Sequence, residues 1–144
     1  MKTLDNRIVK FIKLHHVLTL ATSVENKAYC ANCFYAYMED ENMLVFTSDK
    51  NTKHIKDVEK NSFVAGSIVL ETRIVGKIQG IQLNGILSEP RGDMIKKANK
   101  TYLKRFPFAL LMNTTLWTLD LTFLKFTDNT LGFGKKLIWE KENQ

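Results

Sequence analysis

Apolar residues near the start of the chain fall at Leu4, Ile8, Phe11 and Ile12. That i, i+4, i+7, i+8 spacing predicts an amphipathic helix, with Thr3 as its N-cap. The period then changes. "VLTLATSV" (Val17–Val24) is β-rich, "ENK" makes a turn, and "AYCANCFYAY" (Ala28–Tyr37) reads as an aromatic strand. A second turn at "EDEN" leads into "MLVFT". Connections this short exclude parallel crossovers, so the three segments form a meander. A short, weakly amphipathic helix over 52–60 follows, with Asn51 as its N-cap; Ile55 and Val58 supply most of its apolar face.

Two further strands are expected at "FVAGSIVL" (Phe63–Leu70) and Lys77–Glu89, and Gly80 and Gly85 mark bends or bulges in the second. Asp93 is the expected N-cap of a third helix, which carries Met94, Ile95, Ala98 and Tyr102 on one face and stops at Pro107. "TLWTLDLTFLKF" (Thr115–Phe126) is a last long strand, and "TDNTLGFGKKLIWEK" closes the chain. About six strands with three peripheral helices predict a small, mainly antiparallel barrel of α+β class.

Composition adds bounds. The 144 residues suit a single domain, 1–144, whose core needs no metal or disulfide staple. No apolar run approaches the roughly twenty residues needed to span a bilayer, and "MKTLDNRIVKFIK" lacks the apolar centre of a signal peptide. A cytoplasmic protein with reduced thiols is the expectation, with no membrane partner. The net charge of +6 invites a nucleic-acid reading. However, the lysines are spread over 50–60, 96–104 and 135–141, and the four arginines never cluster. A solvated surface with room for one small anion fits better than a polyanion groove.

Few residues suggest chemistry. Cys30 and Cys33 have C-x-x-C spacing, but inside a strand residues three apart point to opposite faces, so the sulfurs diverge. His15 and His16 straddle a helix–strand junction without nearby carboxylates, and no metal site is expected. Hydrolase and nucleotide-triphosphatase motifs are absent. "TSDKNTKH" differs, because a helix start there offers unpaired N–H groups and the positive end of the dipole. Thr47, Ser48 and Thr52 add hydroxyls, and Lys53 and His54 add charge, in a pattern suited to phosphate.

Motif order over nearly the whole chain resembles the pyridoxamine-5′-phosphate-oxidase-like FMN-binding split barrels. Phe46-Thr47-Ser48 matches the strand end of that superfamily, and Thr52-Lys53-His54 matches its phosphate-gripping triplet, followed by Val58 and Asn61. "YCANCFY" (29–35), "RFP" (105–107) and "KFTDNTLGFGKKLIW" (125–139) further resemble the uncharacterised YhbP-like group. The resemblance implies a six-stranded split β-barrel, a homodimer with flavin sites at its interface, and FMN as cofactor. It also implies phosphate contacts from Thr47, Ser48, Thr52, Lys53 and His54. Phe46 and the backbone of Asn32 to Phe34, Cys33 included, would flank the ring. Gln79 or Gln82 would reach the flavin, and Trp117 or Trp139 would cover it.

The departures have consequences. The triplet's usual lysine is His54, and two cations of the oxidase's second strand fall on Ala31 and Ala36, with Lys50 or Lys135 as possible replacements. Pyridoxamine phosphate oxidation is therefore not assigned. Three expectations stand: a flavin-dependent oxidoreductase of unknown substrate, a haem-binding split barrel with His15, His16 or His54 as axial candidates, and a non-catalytic flavin- or nucleic-acid-binding module. "TDNTLGFGKK" reads either as a tight turn with Asp128 or Asn129 bonding its own backbone, or as a glycine-lined approach for a partner chain.

Overall fold

The computed structural model describes residues 3–143. Helix α1 (Asn6–Leu14) buries Ile8, Phe11 and Ile12, as their spacing requires. Its cap is Asp5, whose carboxylate accepts the Arg7 N–H at 2.8 Å, and not Thr3. A carboxylate is the stronger acceptor for an orphan N–H, and the Arg7 guanidinium holds it in place at 3.0 and 2.9 Å.

Strands β1 (Val17–Val24), β2 (Lys27–Met38) and β3 (Met43–Ser48) form the expected antiparallel meander. Glu25 and Asn26, both at positive φ, make its two-residue first turn. Helix α2 (Lys53–Lys60) then leads to β4 (Phe63–Val69). The remaining elements are β5 (Gln79–Ser88), α3 (Asp93–Arg105), β6 (Thr115–Asp128) and β7 (Lys136–Glu140). Two predicted caps move by one residue. Gly92, at φ 59°, caps α3 while Asp93 sits in its first turn, and Thr52 rather than Asn51 stands at the start of α2.

The strand order is β3-β2-β1-β4-β5-β6-β7, and β3 also pairs with β6. Six strands thus close into a barrel, and a seventh, β7, extends it beyond the strand count read from sequence. The split lies in β6. Its first half, from Thr115 to Asp120, pairs with β3, and its second half, from Phe123 to Thr127, pairs with β7. Gly85 sits at the register shift between β5 and β6, where an added Cβ would lie 2.6 Å from the Asp120 carbonyl oxygen. The bulge therefore depends on a residue without a side chain. Gly80 lies in unbroken register and makes no bulge.

Leu18, Leu20, Tyr35, Leu44, Phe46 and Phe126 fill the interior and are fully buried or nearly so. Tyr35 donates its hydroxyl to the Ile12 carbonyl at 2.7 Å, tying α1 to β2. Burying a side chain of this kind contributes about 1.5–3 kcal/mol, so the interior dominates stability. Helix α3 covers β2 and β3, where Ala98 and Tyr102 are buried. The outer face of β1, β4 and β5 is left open, with Val17, Phe63, Val69 and Ile86 exposed.

Candidate functional site

Where β3 gives way to α2, the chain assembles a polar corner. Ser48 Oγ lies 2.5 Å from His54 Nε2, and Thr52 Oγ1 lies 3.4 Å from the same nitrogen. The Trp117 indole donates to the Ser48 carbonyl at 3.1 Å from below. Thr47 Oγ1 stands 3.4 Å from the Tyr102 hydroxyl, linking the corner to α3. Burial lowers the His54 pKa, against the upward pull of Asp57.

The Thr52 hydroxyl does not cap its helix. It donates instead to the Asp49 carbonyl at 2.8 Å. Among the described residues, nothing in the chain accepts the N–H groups of Lys53, His54 and Ile55. The start of α1, by contrast, is closed by Asp5. With no acidic residue in its first turn, α2 keeps its positive end open to an anion.

Lys53 is committed elsewhere. Its ammonium lies 3.0 and 3.1 Å from the Asp57 carboxylate and 4.8 Å from the centre of the Tyr29 ring. Asp57 is buried, and the Thr22 hydroxyl donates to it at 2.8 Å. That bond first, and Lys53 second, hold the Asp57 carboxyl below its usual range. Of the two replacement cations, Lys50 pairs with Glu89 at 3.0 Å, and the Lys135 backbone belongs to the turn around Gly132.

The other sequence candidates are dispersed. The Phe46 side chain is fully buried inside the barrel, so it cannot lie against a ring bound outside; only its backbone is near the corner. The Cys33 side chain also points inward, where burial pushes its thiol up to about 11, while Cys30 is exposed. Strand parity thus separates the two sulfurs, as their spacing requires. Asn32 faces outward. It accepts the Thr19 hydroxyl at 2.9 Å and begins a cross-strand row that runs through Ser67 and Gln82 to Lys125. Gln82 is thus the outward member of the glutamine pair. Gln79 turns to Asp128, and its hydrogen bond helps hold that carboxyl below its usual range against the burial that raises it.

Trp139 is paired with Leu124, seven residues along β6 from Trp117, or roughly 20 Å of strand. Its position beside β6 removes it from this corner within one chain. Trp117, the other tryptophan read from sequence, is the one beneath Ser48. In the closing turn, Asp128 accepts the Thr130 N–H at 2.9 Å and Asn129 accepts that of Gly134 at 3.0 Å. The histidines at the first junction also separate. His15 bonds the Phe11 carbonyl through Nδ1 at 2.9 Å, and His16 is exposed near Phe106. Among the described residues no cluster of three His, Cys, Asp or Glu could hold a metal. No described helix is long and apolar enough to cross a membrane.

These features define a split barrel with an anion-ready corner at its rim. Solved structures share the fold. A haem-binding protein from Mycobacterium smegmatis superposes with a TM-score of 0.76 at 15% identity, over 97% of this chain and 60% of that one. An FAD-binding protein from Mesorhizobium loti superposes with a TM-score of 0.69 at 12% identity, over 85% of this chain and 92% of that one. No family model matches the chain. A UPF0306 protein of Photorhabdus laumondii is 39% identical over 134 residues, covering 93% of this chain and 94% of the relative. The chain belongs to the UPF0306 family.

Proposed function

We propose that this protein binds a flavin mononucleotide, with the phosphate seated at the start of α2. The observation that carries this reading is the first turn of α2, which no side chain caps and which begins beside the Ser48–His54 pair. The donor set suits a phosphate: the first-turn N–H groups of α2, the Ser48 hydroxyl and the His54 imidazole lie at one corner, and the Asp49 carboxylate is bonded to the Asn51 N–H ahead of the helix at 2.7 Å. Bound flavin supplies hydride or electron chemistry, which suits an oxidoreductase. The chain's own residues bind and orient. Ser48 offers a hydroxyl, Thr52 would offer one on releasing the Asp49 carbonyl, His54 offers a ring N–H, and the Trp117 indole holds the Ser48 carbonyl in place. The structural likeness to an FAD-binding protein and the resemblance to the YhbP-like group of flavin split barrels point the same way.

Asn32 and Gln82 stand on the outer sheet face, away from the corner, so one chain builds only part of a ring pocket. A second copy packed on the exposed Val17, Phe63, Val69 and Ile86 would supply the other wall, which supports a homodimer. Such a protein would work in the cytoplasm. The haem reading draws on the likeness to the M. smegmatis protein and on the exposed imidazole of His16. An absorption spectrum of the purified protein separates the two. A flavin spectrum, with FMN released on denaturation, is expected. A Soret band, or colourless protein that fails to quench added FMN, would remove the flavin reading.

A further inference from the structure

The end of α1, the end of β2 and α3 border an open surface groove of about 530 Å3. Lys13, Lys100, Lys104 and Arg105 line it against a single carboxylate, Glu39. We propose that this groove is a binding site for a compact phosphorylated small molecule carrying two or more negative charges, separate from the corner at α2.

Three observations carry it. The first is a fixed cation. Arg105 donates to the carbonyls of Tyr35 at 3.1 Å, Lys13 at 3.2 Å and His15 at 2.5 Å. Its guanidinium also lies 5.4 Å from the centre of the Tyr35 ring. It is therefore immobilised before any ligand arrives, and its remaining N–H groups keep the planar geometry that suits phosphate oxygens. Little conformational freedom remains to be lost on binding.

The second is an uncompensated stripe. Lys96, Lys100 and Lys104 recur every fourth residue along α3, an arrangement that weakens a helix through like-charge repulsion. Lys13, at the groove's edge, pairs with Glu39, and Lys97 of the same helix pairs with Glu41. Lys100 and Lys104 have none among the described residues, and both face the groove. A bound polyanion relieves their repulsion.

The third is size. The volume falls within the range of pockets that hold small organic ligands, roughly 300–1,000 Å3, and is far short of a track for a nucleic-acid strand. Tyr37, whose hydroxyl donates to Asn42 Oδ1 at 2.6 Å, and the half-exposed Lys13–Glu39 pair are among its lining.

A backbone-amide NMR titration with inorganic pyrophosphate tests the site. Saturable shifts are expected at Ala36 to Glu39 and Lys100 to Arg105, with at least about tenfold weaker binding in the Lys100→Ala/Lys104→Ala double variant. Both lysines are solvent-facing, so the fold survives their removal. A Ser48→Ala/His54→Ala control is expected to leave the groove titration unchanged, whether or not the corner takes FMN. Shifts confined to the α2 corner, non-saturating shifts along every lysine-bearing segment, or an unaffected double variant would each overturn the assignment. So would a short single-stranded oligonucleotide that moves the groove resonances at lower concentration than pyrophosphate.

Discussion

The corner at α2 and the groove beneath α3 are both suited to anions, yet they are built from different materials. At the corner the attraction comes from peptide N–H groups, two hydroxyls and one imidazole, and the nearest lysine is turned away onto Asp57. In the groove it comes from side-chain cations around a guanidinium locked by three carbonyls. Dipoles and hydroxyls select by geometry and lose little to salt, whereas exposed lysines select by charge and are screened within about 10 Å at ordinary ionic strength. The two proposed sites thus differ as a directional anion site and an electrostatic one, and Tyr102 of α3 reaches toward Thr47 of the corner.

The most damaging test removes what both regions share. Phe46→Ala empties a fully buried position, and a loss of about 3–5 kcal/mol in chemical denaturation is expected, abolishing both sites together. Arg105→Ala separates them. Three carbonyls lose a charged donor, stability falls by about 2–3 kcal/mol, and the groove loses its anchor while FMN binding at the corner persists.

At the corner, Ser48→Ala with His54→Ala is expected to weaken FMN at least about tenfold by fluorescence quenching. Lys53→Ala has the smaller effect there, because Asp57 already occupies that ammonium. Raising the salt concentration sharpens the contrast, since pyrophosphate in the groove weakens more steeply than FMN at the corner.

The smallest effect is a matter of pH. Burial lowers the folded-state pKa of His54, so the unfolded chain binds the proton more readily near pH 6.5. The contribution of this imidazole to stability is complete above that value and declines as the pH falls toward the lowered folded value. His54→Gln removes that dependence. Melting curves of the cofactor-free protein at pH 7.5 and 5.5 are expected to show a larger drop for the wild type than for the variant; equal drops would count against the buried imidazole.

Some of this was readable along the chain. The β-rich composition of Val17–Val24 predicted a strand, and the fold turns Leu18, Leu20 and Thr22 of it into the barrel. Strand parity separated Cys30 from Cys33, whereas Gln79 and Gln82 were alternatives that the resemblance left open, and one of them faces outward. Which of the two did so depended on the β4–β5 and β5–β6 registers, set by the whole sheet. Helix starts were less legible. Thr3, Asn51 and Asp93 all have capping side chains, but neighbours decided otherwise: Arg7 braces Asp5, Thr52 bonds back to Asp49, and Gly92 takes the positive φ.

Composition and periodicity established an α+β barrel, its meander, three helices and a phosphate-suited stretch at 47–54, because those properties arise between residues close in sequence. The seventh strand, the removal of Lys53 and Trp139 from the corner, and the meeting of Lys13 with Lys104 and Arg105 depended on tertiary structure. Each needs partners brought together from distant segments, and only the closing of β3 onto β6 and the docking of α3 on β2 do that.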